Sequence, residues 1–321
     1  MKEINSAEIR LIVTDLDETL LRKDKTFSDY SRGVLERLIE KGYLVVPASG
    51  RDLKRMRENI LTMPGIRYAI TLNGAQVYAL SGGPANAGID AGASEIGAIR
   101  RVAEFPLSEE EAVLSLDWMR PYCNILEMDT DRGLLREVCT VKPGSRETLT
   151  VDSLSEEAAP GESLDVESAE RFIRKRYFFI DFDVPEYPSL SEYIRKEHPL
   201  VWKVSGFYAD RRQFEAILQK PFPDGNVNFC ASDDLLTESS SARASKGNGL
   251  KRLMDLLNLP KEAVLAIGDN GNDVSMFREA GVSVAVGNAL PEIQAAADFV
   301  CGTNDEDGPA RFLEEWLAAG S

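Results

Sequence analysis

The sequence predicts an α/β protein whose core is a doubly wound, Rossmann-like parallel sheet, with an α+β domain inserted into it. Strand and helix signals alternate along residues 1–80 and again along residues 238–321, which is the pattern of βαβ units. Residues 81–237 show a mixed order of helices and strands instead. We therefore expect one α/β domain in two pieces, 1–80 and 238–321, around an insert of residues 81–237.

Apolar runs separated by amphipathic stretches define the expected elements of the core. The first piece predicts strand Ile9–Thr14, helix Tyr30–Lys41, strand Tyr43–Pro47, helix Asp52–Leu61 and strand Tyr68–Leu72. The second piece predicts helix Gly249–Leu257, strand Ala263–Ile267, helix Asp273–Ala280, strand Val282–Val286 and helix Pro291–Ala297. In an open α/β sheet, ligands bind at the carboxyl ends of such strands.

The insert does not show the regular alternation of strands and helices that the core pieces show. A capping box of Ser108 and Glu111 predicts a helix over Ser108–Met119. Further elements are strand-like runs at Asn124–Met128, Tyr177–Phe182, Trp202–Val204 and Val227–Cys230, a polar acidic stretch at Asp152–Glu170, and a helix near Gln213–Leu218. This mixture predicts an α+β domain.

Composition and charge exclude several classes of protein. Apolar residues make up 43% of the chain and charged residues 28%, as in folded globular proteins. A formal net charge of −16 disfavours nucleic acid as a partner, because binding a polyanion requires clustered Lys and Arg. The sequence has neither a signal peptide nor an apolar run of membrane-spanning length. We therefore expect a cytoplasmic protein with no membrane partner.

Two familiar routes of nucleophilic catalysis lack their residues. The chain contains one histidine, His198, in a Glu- and Lys-rich context, and no GxSxG segment accompanies it. A Ser/His/Asp triad and a phosphohistidine are therefore disfavoured. Cys139 and Arg146 are one residue too far apart for the CxxxxxR loop of protein tyrosine phosphatases.

The strongest local signal is an apolar strand that ends in two aspartates. Asp15 and Asp17 follow Ile12–Thr14 and precede Thr19-Leu20-Leu21. A DxD alone is more often a loop cap or a solvated turn. At the end of a parallel strand, however, two such carboxylates could share a divalent cation, with one attacking a substrate and the other moving protons.

Three further segments carry groups suited to phosphate or metal chemistry. Ser49-Gly50-Arg51 follows a strand and precedes a helix, a geometry that binds anions, although Ser-Gly there is often a plain turn. Lys246-Gly247 precedes a helix and could aim an ammonium at an anion, although most such lysines are solvated. Asp269 and Asp273 follow another strand; a helix cap explains Asp273 well and Asp269 poorly.

These four elements, in this order, resemble the four motifs of the haloacid dehalogenase-like phosphatases. Three other segments, Asn73-Gly74-Ala75, Gly287-Asn288-Ala289 and Asn304–Gly308, are similar to segments of the Cof-type sugar phosphatase subfamily. In that subfamily an α+β cap domain is inserted between the second and third motifs, which is where residues 81–237 lie. Two residues depart from the pattern: Glu18 replaces a usual Gly, and Ser49 replaces a common Thr.

The resemblance implies a role for each motif residue. Asp15 would be the nucleophile and Asp17 the general acid and base, with Lys246 completing the catalytic group. Mg²⁺ would be held by the Asp15 carboxylate, the Asp17 backbone carbonyl and Asp269, with Asp273 behind them. The residues implied to bind the substrate phosphate are Ser49, Gly50, Arg51 and Asn272, together with Lys246.

The function implied is a Mg²⁺-dependent phosphatase that hydrolyses a small phosphorylated metabolite, expected to be a sugar phosphate, through an aspartyl-phosphate. The cap would close over the core and select the leaving group. Two alternatives remain: a phosphomutase similar to phosphomannomutase, and a non-catalytic protein that binds a phosphometabolite. Asp17 argues against the second alternative, because binding alone needs no acid or base.

Overall fold

The computed structural model describes residues 8–57, 60–80, 99–139, 184–233 and 235–319. Contacts divide the chain into two compact units. The first, here called the core unit, comprises Met1–Phe105 and Arg243–Ser321, and the second, the inserted unit, is Pro106–Ala242. Within the described residues, no helix is long and apolar enough to cross a membrane.

The helices and strands of the described residues are numbered in chain order. The first are β1 (Leu11–Thr14), α1 (Asp29–Glu40), β2 (Leu44–Pro47), α2 (Leu53–Arg57), β3 (Tyr68–Thr71), β4 (Gln76–Ala79) and β5 (Arg100–Glu104). They continue with α3 (Glu109–Met119), β6 (Ile125–Thr130), β7 (Gly133–Val138), α4 (Leu190–Glu197), β8 (Val201–Phe207), α5 (Arg211–Leu218), β9 (Val227–Asp233) and β10 (Leu236–Ser241). The last are α6 (Lys246–Leu257), β11 (Val264–Gly268), α7 (Val274–Glu279), β12 (Val282–Ala285), α8 (Pro291–Ala296), β13 (Phe299–Val300) and α9 (Gly308–Ala319).

The core unit contains the predicted parallel sheet, with strand order β13-β12-β11-β1-β2. Leu11 of β1 pairs with Val264 of β11 on one side and with Leu44 of β2 on the other. The strands are mostly apolar, as expected where both faces of a parallel sheet are covered, and every residue of β1 is buried. The predicted fold class is confirmed, and β1 and β11 end side by side.

A smaller antiparallel sheet, in the order β3-β4-β5, completes the described part of the core unit. The pairing of these strands explains why the inserted unit begins at Pro106 and ends at Ala242, whereas the sequence predicted boundaries near residues 81 and 237. β5 pairs with β4 and so belongs to the core unit, whereas β10 pairs with β8 and β9 and belongs to the inserted unit. The assignment of residues 81–237 to a cap domain stays a prediction.

The inserted unit contains an antiparallel sheet in the order β7-β6-β8-β10-β9, together with α3, α4 and α5. Its apolar core includes Leu116 and Met119 of α3, Leu126 and Met128 of β6, and Val204 of β8. The predicted capping box is present at the start of α3, with Ser108 and Glu111 exchanging hydrogen bonds. Helices combined with an antiparallel sheet match the α+β character expected of the insert.

Helix α6 begins at Lys246, three residues before the predicted start at Gly249. Here the glycines permit close packing: a Cβ atom on Gly247 would lie 2.3 Å from the backbone oxygen of Ser275. The predicted strand Tyr177–Phe182 and the acidic stretch Asp152–Glu170 lie outside the described residues.

Candidate active site

Three carboxylates meet at the carboxyl ends of the two central strands. Asp15 follows β1 and Asp269 follows β11, and the Asp15 amide donates to the Ile267 backbone oxygen at 3.0 Å. Carboxylate oxygens of Asp15, Asp269 and Asp273 all lie within 4.8 Å of one another. Oxygen is the donor that hard divalent cations prefer, so this cluster has the composition of a site for such a cation.

Lys246 lies at the start of α6 and contacts two of these carboxylates. Its side chain is 1% exposed, and its Nζ lies 2.6 Å from Asp15 Oδ1 and 2.7 Å from Asp273 Oδ1. Burial acts to lower the pKa of Lys246, but the charges of Asp15 and Asp273 outweigh it and raise that pKa. Lys246 therefore remains a cation inside the site.

Asp15 is the most strongly perturbed carboxyl of the cluster. Burial raises its pKa well above the ordinary range; Lys246 opposes that shift, while Asp273 and Asp269 add to it. Burial likewise raises the pKa of Asp269, whose Oδ1 accepts a hydrogen bond from Thr19 at 2.7 Å. A divalent cation among these groups would supply positive charge in addition to that of Lys246 and keep both carboxylates ionised.

Asp273 is fully engaged by protein groups. Its side chain is 0% exposed; Oδ1 accepts from Lys246, and Oδ2 accepts from the backbone amides of Asp269 at 2.9 Å and Asn270 at 3.0 Å. A Cβ atom on Gly268 would lie 2.5 Å from this carboxyl group, which explains the glycine. These contacts support the expectation that Asp273 stands behind the direct metal ligands.

The Asp17 carboxylate lies outside this cluster and is held by cations. Arg51 donates from Nε to Oδ2 at 2.8 Å and from Nη2 to Oδ1 at 2.6 Å, and Lys25 Nζ lies 3.2 Å from Oδ1. Burial acts to raise the pKa of Asp17, but Arg51 and Lys25 outweigh it and lower that pKa. The resemblance implied that Arg51 binds the substrate phosphate, whereas in the structure its guanidinium donates to Asp17. The phosphate-binding role of Arg51 stays a prediction.

Glu18 occupies the position where glycine is usual, and it adopts a left-handed backbone with φ of 57°. Glycine enters this region freely, whereas other residues require support. Lys25 Nζ contacts the Glu18 carboxylate at 3.0 Å, and Asn288 Nδ2 donates to the Glu18 backbone oxygen at 2.8 Å. These two contacts therefore support the left-handed backbone at Glu18 without a glycine.

The residues predicted to bind phosphate come from separate turns. Ser49 is buried just after β2, and its Oγ accepts from the Arg51 amide at 3.2 Å. Asn272 lies in the short turn before α7, and its Nδ2 donates to Asn73 Oδ1 at 3.0 Å. Asn73 was singled out in the sequence only as part of a similar segment, with no role, and its contact with Asn272 spans 199 positions.

Fold and site together define a hydrolase whose carboxylate cluster lies at the edge of a parallel sheet. The chain belongs to the haloacid dehalogenase-like hydrolase family, whose model matches residues 12–87 and 169–313. The predicted family is thereby confirmed.

Proteins similar to this chain are named as phosphatases. Phosphatase YwpJ of Bacillus subtilis (strain 168) is 28% identical over 318 residues, covering 96% of this chain and 100% of the relative. The 5-amino-6-(5-phospho-D-ribitylamino)uracil phosphatase YwtE of the same organism is 25% identical over 313 residues, covering 97% and 99%. A solved haloacid dehalogenase-like hydrolase from B. subtilis has a TM-score of 0.68 and 26% identity, covering 95% of this chain and 99% of that structure. These findings confirm the predicted enzyme class, a phosphoric monoester hydrolase.

Proposed function

We propose that this protein is a Mg²⁺-dependent phosphatase that hydrolyses a small phosphorylated metabolite through a phosphorylated Asp15. One observation supports this most directly: Asp15 and Asp17, two positions apart, lie in opposite settings. Asp15 is buried beside Lys246 and two other carboxylates, whereas Asp17 is held by Arg51 outside that cluster. Paired carboxylates in contrasting environments can divide the work of nucleophile and proton carrier. A bound cation would keep Asp15 ionised as the nucleophile, and Asp17 would take up its proton away from Arg51, whose contact lowers the Asp17 pKa.

In the first step, an Asp15 oxygen forms a bond to phosphorus while the bond from phosphorus to the leaving oxygen breaks. Asp17, as the acid, gives that oxygen its proton. In the second step Asp17 removes a proton from water, the water oxygen bonds to phosphorus, and Asp15 is released. Lys246, Ser49 and Asn272 would hold the phosphoryl oxygens, where charge and positioning supply most of the rate.

The residues present fit a divalent cation, because the cluster offers only oxygen ligands and an excess of negative charge. Asp15, Asp269 and the Asp17 backbone carbonyl would hold it, and Asp273 would support them. When bound, Mg²⁺ would neutralise charge on the phosphoryl group and the carboxylates.

For the substrate, we propose the phosphate monoester of a sugar or a sugar alcohol, in the cytoplasm. The support is the name of one relative, which matches 97% of this chain and is a phosphatase of a phosphorylated ribitylamino compound.

A panel of phosphorylated sugars, sugar alcohols, nucleotides and cofactors, assayed for released phosphate with Mg²⁺ and with excess EDTA, tests the proposal. We expect Mg²⁺-dependent release from at least one sugar or sugar-alcohol phosphate, and none from Asp15→Asn. Isomerisation of a bisphosphorylated sugar without free phosphate would identify a phosphomutase instead. Saturable binding without turnover of any substrate would identify a binding protein.

A further inference from the structure

The turn after β3 has an unusual backbone. Leu72, Asn73 and Gly74 all have positive φ angles, of 49°, 53° and 93°. Glycine and asparagine accept this region, but for leucine it is a strained conformation. Such strain persists only where surrounding contacts determine the backbone, and it is concentrated at functional sites.

Those contacts connect the turn to two parts of the site. The Leu72 amide donates to the Arg51 backbone oxygen and the Asn73 amide to the Ser49 backbone oxygen, both at 3.0 Å. On the other side, a Cβ atom on Gly74 would lie 1.9 Å from the Ser245 backbone oxygen and 2.8 Å from the Lys246 nitrogen. The turn thus fixes the Ser49 loop against the start of the helix that carries Lys246.

The Asn73 side chain lies where the predicted phosphate-binding residues meet. A Cβ atom on Gly50 would lie 3.1 Å from Asn73 Oδ1 and 3.3 Å from Asn73 Nδ2. Asn73 Oδ1 accepts a hydrogen bond from Asn272 Nδ2, which orients the amide. Among the described residues, no hydrogen bond uses Asn73 Nδ2, so two N–H donors are available beside Gly50.

We propose that Asn73 is a further catalytic residue whose Nδ2 donates a hydrogen bond to an oxygen of the transferring phosphoryl group. Its donors would join those of Ser49, Gly50 and Asn272. A preoriented amide stabilises the negative charge that develops on these oxygens and requires no reorganisation during the reaction. This inference rests on the proposed function, because it assumes that the phosphoryl group binds in this cluster.

A competing account gives Asn73 only an orienting role, in which Oδ1 holds Asn272 and Nδ2 touches nothing. Asn73→Gly and Asn73→Asp separate the two, and both keep a residue that tolerates the left-handed backbone. Asn73→Asp retains an acceptor for Asn272 but places a negative charge beside the phosphate. Asn73→Gly removes the side chain without adding charge.

If Asn73 contacts the phosphate directly, Asn73→Asp should bind phosphate more weakly than Asn73→Gly. If Asn73 only orients Asn272, Asn73→Gly should be the weaker binder. The measurements are kcat/KM for a phosphate ester and the inhibition constant for inorganic phosphate, both with Mg²⁺. We expect the inhibition constant to rise about 10-fold in Asn73→Gly and about 100-fold in Asn73→Asp, since hydrogen bonds to charged groups are worth about 1.5–3 kcal/mol. Calorimetry measures the affinity of each variant for inorganic phosphate and needs no turnover. If the parent protein bound phosphate but released none from any ester, the proposed function would fail while the role of Asn73 in phosphate binding could still be tested.

The matched control is Asn258, which also has a left-handed backbone, with φ of 52°, at the end of α6. Asn258→Gly and Asn258→Asp should leave phosphate binding unchanged. Unchanged phosphate binding in Asn73→Gly, or tighter binding in Asn73→Asp than in Asn73→Gly, would overturn the proposal. If Asn73→Asp failed to fold, phosphate binding by Asn73→Gly as tight as by Asn258→Gly would still overturn the proposal.

Discussion

At the scale of single residues, the site depends on which cation each aspartate contacts. Lys246 is buried between Asp15 and Asp273, while Arg51 and Lys25 contact Asp17 from a half-exposed position. Because cations lower the pKa of Asp17 and burial raises that of Asp15, the two carboxyls differ in the direction of their shifts. Substitutions at the two positions should therefore have different consequences.

Asp17→Asn should lower kcat by about 10²–10⁴-fold on a sugar phosphate, because the poor leaving group requires a proton donor. On an aryl phosphate with an acidic leaving group, the loss in the first step should be much smaller. Burst kinetics with both substrates would separate formation of the intermediate from its hydrolysis. Equal loss in the first step for both substrates would contradict the acid role. Asp15→Asn serves as the reference, because it should form no phosphorylated intermediate from either substrate.

Asp273→Asn should destabilise the fold by about 3–5 kcal/mol, the typical cost of breaking a buried ion pair. All three partners of the Asp273 carboxylate are hydrogen-bond donors. The NH₂ group of an asparagine would therefore face a donor, either Lys246 or the backbone amides of Asp269 and Asn270, and that hydrogen bond would be lost. Denaturant unfolding without Mg²⁺ measures the change. Asp24→Asn is the control, since within the described residues the exposed Asp24 carboxylate accepts hydrogen bonds from Thr26 alone, and its unfolding should match the parent.

At the scale of elements, two segments with no assigned role contact the chain that follows Asp15 and Asp17. Asn288 Nδ2 donates to the Glu18 backbone oxygen, and Asn288 Oδ1 accepts from the Asn304 amide at 2.9 Å. Asn304 Nδ2 donates to the Leu21 backbone oxygen at 3.0 Å. The resemblance singled out both segments, and their contacts show that they fix the turn in which Asp17 lies.

Asp307 extends this support to α1 and gives a pH-dependent prediction. Its carboxylate accepts from Arg22 at 2.8 Å, Ser28 at 2.7 Å and Ser31 at 3.2 Å. Burial acts to raise the pKa of Asp307, but Ser28 and Arg22 outweigh it and lower that pKa. A lowered pKa in the folded state means that this stabilisation is present above the ordinary carboxyl pKa of about 4 and is lost as pH falls through the folded value.

Asp307→Asn should therefore lower the free energy of unfolding by about 1–3 kcal/mol at pH 7, with the difference shrinking below about pH 4. Urea unfolding of both proteins across this range is the measurement. A difference that stayed constant with pH would mean that the charge of Asp307 contributes nothing. Asp305→Asn is the control, because in the part of the chain that the structure describes the Asp305 carboxylate accepts a single hydrogen bond, from the exposed Lys23 backbone amide.

Several site residues were readable from the sequence because each follows a strand within a short motif. Asp15, Asp17, Ser49 and Asp269 belong to this group. The pairing of Arg51 with Asp17 and of Asn73 with Asn272 was not readable, since these contacts span 34 and 199 positions. Strands β4, β5, β7, β10 and β13 were also not predicted. β5 and β10 read Arg-Arg-Val-Ala-Glu and Leu-Thr-Glu-Ser-Ser-Ser, which lack a strong apolar pattern.

At the scale of the whole molecule, the order of the central sheet couples the site to folding. β1 and β11 are neighbours although they come from separate pieces of the core, so the carboxylate cluster takes Asp15 from one piece and Asp269 and Asp273 from the other. Without a cation, burial of these carboxylates and the repulsion among them oppose that arrangement, as the raised pKa values of Asp15 and Asp269 indicate. Binding of a divalent cation should therefore stabilise the folded chain.

With Mg²⁺ at about 100 times its dissociation constant, the free energy of unfolding should increase by about 2.7 kcal/mol, measured as thermal or urea unfolding with Mg²⁺ and with EDTA. Asp269→Asn should lose most of this increase. It should nevertheless be no less stable than the parent in EDTA, because the amide oxygen can still accept from Thr19 while one repelling charge is removed. Asp305→Asn, which removes an equal charge elsewhere, should keep the full increase. If Asp269→Asn gained as much from Mg²⁺ as the parent, Asp269 would not be a ligand, and the cation would have to bind through the remaining residues of the cluster.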